Sequence, residues 1–218
     1  MSMKSLSYIF TLVLLALGLN TYAQSDAKAK AILADVSKKF RAYDVVKADF
    51  SFSYLNRQNN HKEAHNGTLY VQSKTNKYKV VLPQQEVISD GKSQWTYLKE
   101  DKEVQISEVD NSEDALNPAQ IFTLYEKGFK YVLTGESKQN GKTYQNIELA
   151  PLATRSFSKI KLSVDKAAKS ISSFTVFDKN GSIYTYTIKS LVPNVKVPAS
   201  TFGFDKTRYP GVEIVDLR

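Results

Sequence analysis

The sequence predicts a mainly β protein of the α+β class, one helix followed by a long antiparallel meander. Three observations carry this. Apolar residues between Ala27 and Tyr43 recur every three or four positions, the period of a helix with one covered face. From Val46 onward the apolar period drops to two, as in strands with one covered face. Asp-Gly and Asn-Gly pairs then punctuate the alternating runs, and these are the turns that hairpins favour.

In chain order, Ile32, Leu33, Val36, Phe40 and Tyr43 form the apolar stripe of the helix, with lysines opposite. The first strand alternates Val46, Ala48, Phe50, Phe52 and Tyr54 with polar neighbours. After Asn66-Gly67 come "TLYVQ" and then "KYKVVL", where Tyr78, Val80 and Leu82 share a face before Pro83. The stretch "VISDGKSQWTYL" reads as two strand arms about an Asp-Gly turn, with Trp95 and Tyr97 on one face. "KEVQISEV" is its expected partner and aligns Val104 with Ile106. Pro118 opens a short helical segment to Lys127 that carries Ile121, Phe122, Leu124 and Tyr125. Strands resume at "FKYVLTGE", turn at Asn140-Gly141, and continue through "YQNIELAP", "FSKIKLSVD", "SISSFTVFD" and "SIYTYTIKSL". The C-terminal "TFGFDKTRYPGVEIVDL" reads as a short coil and an edge strand. The total is about ten or eleven strands in a single domain.

The N-terminus has the plan of a secretory signal: Lys4, an apolar run from Tyr8 to Leu19, and small residues at Thr21 and Ala23. Residues 1–23 are expected to be removed, leaving a domain of residues 24–218 in the periplasm. The run is shorter than the ~20 apolar residues of a spanning helix. The chain has no cysteine, which excludes disulfides, thiolate nucleophiles and thiolate metal sites. Gln24 stands where an acylated bacterial lipoprotein would carry its lipid-bearing cysteine. Loss of Lys4 lowers the formal net charge from +8 to +7. In an exported protein such charge fits anionic membrane or acidic protein surfaces as counterparts, or simply a soluble surface, rather than nucleic acid.

Catalytic chemistry has little to rest on. His61 and His65 fall in the polar stretch "NRQNNHKEAHNG", which reads as a loop with no helical frame for a metal pair. There is no Gly-x-Ser-x-Gly elbow or nucleotide-binding loop, and a hydrolase would have only these two histidines for its base. The chain does carry aromatic surface: 11 Phe, 13 Tyr and one Trp. Such residues could fill an ordinary core, or line a ligand cavity where a curved sheet has more inner face than two helical pieces can cover.

An ordered set of segments resembles the outer-membrane lipoprotein carrier family, LolA. It comprises Gly67-Thr68-Leu69-Tyr70, the run Ile88 to Tyr97, Glu103-Val104-Gln105-Ile106, Asn117-Pro118, "IELAPL", Asp178-Lys179-Asn180-Gly181, Phe202-Gly203-Phe204 and Pro210-Gly211-Val212. No single piece is specific, but their order covers nearly the whole exported chain. The resemblance implies an incomplete, strongly curved antiparallel β-barrel with helices as a lid over a hydrophobic cavity. Combined with alternation, it assigns the cavity to Phe50, Phe52, Tyr54, Leu69, Val71, Tyr78, Val80, Leu82, Val87, Trp95, Tyr97, Val104 and Ile106. The lid falls to Ile121, Phe122 and Leu124.

The implied role is that of a monomeric, non-enzymatic carrier without cofactor. It would take acylated lipoproteins from an inner-membrane ABC transporter to an outer-membrane acceptor protein or to the membrane itself. The same fold also serves other lipid or glycolipid carriers and envelope sensors. Family members typically place Arg-Pro after the Gly-x-Leu strand, where the Arg holds the lid closed. This chain has Gln72-Ser73-Lys74-Thr75 there. Mass spectrometry of the exported protein should find Gln24 at its N-terminus; retention of residues 1–23 would remove the signal-peptide reading.

Overall fold

The computed structural model describes residues 26–110, 112 and 117–218, so the signal segment lies outside the described residues. Residues 26–41 are helical (α1). Ala29, Leu33, Val36 and Phe40, spaced by four, three and four, are buried against the sheet. Tyr43 follows the helix and packs against the same core.

Twelve strands make one sheet. They are β1 (Val45–Asn56), β2 (His61–Gln72), β3 (Lys77–Val81), β4 (Gln85–Asp90), β5 (Ser93–Leu98), β6 (Glu103–Glu108), β7 (Phe129–Gln139), β8 (Lys142–Pro151), β9 (Phe157–Asp165), β10 (Ser170–Asp178), β11 (Ser182–Pro193) and β12 (Glu213–Asp216). Their spatial order is β12-β6-β5-β4-β3-β2-β1-β11-β10-β9-β8-β7. β12 runs parallel to β6 and the other pairings are antiparallel. The sheet is an open, curved one whose end strands, β12 and β7, do not meet.

Two differences from the sequence reading have physical causes. The segment read as a histidine-bearing loop is the first half of β2, paired to β1 as far as Asn56 opposite His61. Its partners on the inner side are His61, Glu63 and His65, so no apolar alternation announces the strand. His61 Nε2 lies 2.7 Å from Glu63 Oε1. Among the described residues no group of three His, Asp or Glu is placed to hold a metal ion. The segment after Pro118 is a chain of turns that ends in a 3-10 helix at Leu124–Glu126, not a regular α-helix.

Tight hairpins set the register. Asn140 and Gly141 take φ of 50° and 74° in the β7–β8 turn, a conformation this pair accepts readily. At the β4–β5 turn, Asp90 Oδ1 accepts from the backbone N–H of Lys92 (2.9 Å) and Ser93 (2.8 Å). With only Gly91 and Lys92 between the strands, Ile88 stands opposite Trp95 and Val87 opposite Thr96.

That register divides the apolar residues between two faces. The inner face holds the main core beneath α1 and residues 117–126, including Val46, Ala48, Leu69, Val71, Ile147, Leu149 and Ile160. The outer face near β4–β6 holds a second cluster under the C-terminal segment. There Trp95 stacks on Phe204 (6.3 Å between centroids), and Tyr209 meets both Phe204 (5.2 Å) and Tyr97 (4.8 Å). Tyr209 O–H donates to Glu86 Oε2 (3.1 Å), which also pairs with Lys79 Nζ (2.8 Å).

Burial raises the Glu86 carboxyl, but the Lys79 contact and the Tyr209 hydrogen bond outweigh it and leave the group below its ordinary value of 4.5. A carboxyl held low in the folded state contributes stability above its unfolded pKa, and that contribution is lost as pH falls through the folded value. Glu86→Gln, which removes the charged partner of Lys79 and Tyr209, should therefore cost about 1 kcal/mol near neutral pH. In urea melts the gap from wild type should close below about pH 4. A gap that persisted unchanged at low pH would mean the loss is steric.

Candidate functional site

The inner face is not filled. Phe50 and Phe52 from β1, Leu69 from β2, Tyr78 and Val80 from β3, Leu82 just beyond it, and Val87 from β4 surround a hollow of about 410 Å³. Phe174 from β10 and Tyr186 and Ile188 from β11 complete the wall, because β11 lies beside β1. Pro118 and Ile121 border it from the turn segment, and Gln85 and Gln94 supply its amide groups. None of these lining side chains is charged.

The wall is a set of interlocked rings. Tyr186 stacks on Phe174 at 4.5 Å with an interplanar angle of 4°, and lies 4.9 Å from Phe52. Burial pushes its hydroxyl up to about 12, with neighbouring Tyr184 adding to the effect. Tyr78 O–H donates to Gln94 Oε1 at 2.5 Å, and burial likewise raises it to about 12. Both phenols are neutral across any physiological pH. The site offers apolar surface and a few neutral polar groups, which suits hydrocarbon and excludes ions.

Gly67 shapes one wall. It stands opposite Phe50 on β2, and the Phe50 ring folds across the space a side chain would occupy. A Cβ there would lie 2.6 Å from Phe50 Cζ and 2.8 Å from Leu82 Cδ2, both groups of the lining. The absence of a side chain on β2 thus sets Phe50 back from the hollow.

Of the residues assigned to a cavity from sequence, Phe50, Phe52, Leu69, Tyr78, Val80, Leu82 and Val87 border this hollow. Val71 is fully buried in the core beside it. Tyr54 sits further along β1, against Tyr184 (5.3 Å) and His61 (6.1 Å). Trp95, Tyr97, Val104 and Ile106 lie on the opposite face of the sheet, because the two-residue turn after Asp90 registers Trp95 with Ile88. Gln94, their polar neighbour, is the β5 residue that reaches the hollow. Phe174, Tyr186 and Ile188 were visible as alternation, but only the pairing of β1 with β11 brings them here.

The three residues assigned to a lid all belong to or pack against the core, but only one of them also borders the hollow. Ile121 borders the hollow. Phe122 is buried and stacks on Phe40 of α1 at 4.6 Å. Leu124 faces a separate polar groove of about 820 Å³, shared with Lys74, Thr75, Gln120 and Lys127. Two further contacts tie the segment to α1: Ser37 Oγ donates to the Tyr125 hydroxyl oxygen (3.2 Å), and Arg41 pairs with Glu126. Lys74, in the stretch that replaces the family Arg-Pro, borders this groove beside Glu126.

An open half-barrel wrapped around an uncharged aromatic hollow defines the class: a β protein whose interior suits apolar ligands. The chain belongs to the LolA family, described as outer membrane lipoprotein carrier protein LolA, whose sequence model matches residues 41–205. Among curated proteins none matches it. An uncharacterized conserved protein from Thermus thermophilus shares the fold at a TM-score of 0.56 and 14% identity, over 87% of this chain and 99% of that one. A DUF1329 family protein from Desulfovibrio piger aligns at 0.51 and 13% identity, over 85% and 99% of the two chains. Among the described residues no helix is long and apolar enough to cross a membrane.

Gly67→Ala should push Phe50 and Leu82 into the hollow, costing about 1–3 kcal/mol in overpacking. Binding of a fluorescent acyl ligand should weaken in parallel. Undiminished binding by a destabilised variant would show that the Phe50 wall is not part of the ligand site.

Proposed function

We propose that the protein is an envelope carrier that shields the acyl chains of lipid-modified proteins in this hollow. It would ferry them from an inner-membrane ABC transporter to the outer membrane or to an acceptor protein there. The observation that carries this reading is an aromatic-walled, charge-free hollow, bordered by Pro118 and Ile121, in a chain of the LolA family. The signal-like N-terminus and the absence of a cysteine at position 24 fit an exported protein without its own lipid anchor.

Each methylene left in water costs about 0.8 kcal/mol, so an acylated protein needs cover to leave one membrane for another. The wall provides that cover mainly through dispersion and area burial, which have no preferred geometry. Affinity of this kind scales with the area covered. A membrane that covers more of each chain draws the ligand onward without any chemical step in the carrier. The inferred role is binding and hand-over rather than catalysis.

Ile121→Asp places a charge at the edge of the hollow without entering the sheet. In a spheroplast release assay it should lower the soluble, carrier-bound lipoprotein at least about tenfold, since a carboxylate beside hydrocarbon is strongly disfavoured. Because Ile121 also packs against the core, Ile121→Ser is the matched control for stability, and release should fall well below that of the Ser variant. Release equal to wild type would sink the reading. Mass spectrometry of material that co-purifies from the envelope adds a second check. A glycolipid in place of an acylated protein would move the assignment to a different acyl ligand.

A further inference from the structure

A second hollow lies on the other side of the α1–segment contact. It measures about 550 Å³ and is bordered by α1, by Tyr125 and Glu126 of the turn segment, and by Tyr131 of β7. It shares no lining residue with the aromatic hollow. The core residues Phe40 and Phe122 belong to neither lining.

Its chemistry differs from that of the first. Lys30, Ala34 and Lys38 are spaced by four and so fall in one row along α1, while Leu33, Ser37 and Arg41 form the next. The small side chain of Ala34 leaves a trough between the flanking lysines. The trough follows about three helical turns. Its polar floor is already satisfied internally: Ser37 Oγ donates to the Tyr125 hydroxyl (3.2 Å), Tyr125 O–H to the Phe122 carbonyl (2.6 Å), and Tyr131 O–H to the Tyr125 carbonyl (2.8 Å). What remains for a ligand is apolar surface with cations above it.

Among the lining residues Glu126 is the one acid, against Lys30, Lys38 and Arg41. Glu126 is paired with Arg41, whose guanidinium has further donors free of that pair's geometry. Asp35, on the neighbouring helical face, is engaged by Lys169 at 2.7 Å. Lys38 and Arg41 are three apart and so can approach one anion together.

We propose that this trough is a second binding site, for a single-chain amphiphile with an anionic head, a long-chain carboxylate being the simplest case. The head sits at Lys38 and Arg41, and the chain lies over Ala34 and the half-buried Tyr131 ring toward Lys30, with buried Leu33 and Tyr125 beneath it. An acidic peptide fits less well, because the saturated floor offers its backbone no hydrogen bonds, whereas an alkyl chain asks for none. The aromatic hollow does not substitute, since among the described residues no cation lines it to compensate for desolvating a carboxylate. The site is independent of the carrier reading and would stand if that reading fell.

Calorimetric titration of the exported chain with palmitate and, separately, with hexadecanol tests it, at pH 8 and low salt. The two ligands share a chain length and differ in head charge. Lys38→Glu should weaken palmitate at least about tenfold through like-charge repulsion and leave hexadecanol unchanged. Ala34→Leu, a substitution on an exposed helix face, should weaken palmitate by filling the trough. Val80→Phe, which fills the aromatic hollow, should weaken hexadecanol and spare palmitate. Raising salt to about 0.5 M should selectively weaken palmitate. The proposal is overturned if palmitate affinity ignores Lys38→Glu and Ala34→Leu, or if Val80→Phe abolishes it. Failure of hexadecanol to respond to Val80→Phe would instead count against the aromatic hollow as the acyl site, with the palmitate results still deciding the trough.

Discussion

Among the described residues, a single helix and a short run of turns cover the inner face of a twelve-stranded sheet, and they leave part of it as a hollow. Along β1, Val46 and Ala48 are buried beneath that cover, while Phe50 and Phe52 pass beyond it and border the hollow. One alternating run of apolar residues therefore serves as core at one end and as the wall of the hollow at the other. Apolar walls that approach each other without filling the space between them lose dispersion contacts. The rings of Phe52, Phe174 and Tyr186 recover part of that loss by packing on one another. A hollow walled by mutually supporting rings can persist where one walled by loose aliphatic chains would collapse.

The position of the cover depends on contacts of different strengths. The Phe40–Phe122 stack and the Ser37–Tyr125 hydrogen bond lie in the interior and fix the segment on α1. The Arg41–Glu126 pair is exposed at the guanidinium end, and exposed ion pairs contribute little to stability. Its consequence is electrostatic placement: it holds an acid and a base between the lysine-flanked trough and the polar groove bordered by Lys74. The charged side chains of that border are absent from the described lining of the aromatic hollow.

The helix and the strand sequence were legible because their periodicity is local. Leu33, Val36 and Phe40 lie within a few residues of each other, as do Phe50 and Phe52, so the covered face can be read directly. Two things could not be read that way. The first is a strand whose inner face is polar: His61, Glu63 and His65 stand where apolar residues would mark a covered face, yet β1 holds them in pairing to its end. The second is which face is the inner one. Trp95 and Val87 are both apolar positions in alternating runs, and only the length of the Gly91-Lys92 turn decides that they point opposite ways. A shift of one residue there would exchange Trp95 for Gln94 at the hollow. The lid residues illustrate the same limit, since a helical spacing assigns Ile121, Phe122 and Leu124 alike to the cavity mouth, whereas in the chain of turns only Ile121 borders the hollow.

The outer aromatic cluster follows from that register and bears on the hollow from behind. Strands β4 and β5 supply Val87, Gln85 and Gln94 to the inner wall, and their opposite faces carry Ile88, Trp95 and Tyr97. The C-terminal segment covers those residues with Phe204 and Tyr209, anchors itself through Glu86, and then adds β12 alongside β6. A strand pair exposed on both faces would be free to twist, and the hollow would change shape with it. Clamped from outside, β4 and β5 present a fixed wall. The other border is built differently: there Pro118 and Ile121 meet the hollow from a segment of turns outside the sheet. The tryptophan that looked like a ligand contact in the sequence is thus placed to keep the wall in position, while its neighbour Gln94, the other strands and the turn segment form the hollow itself.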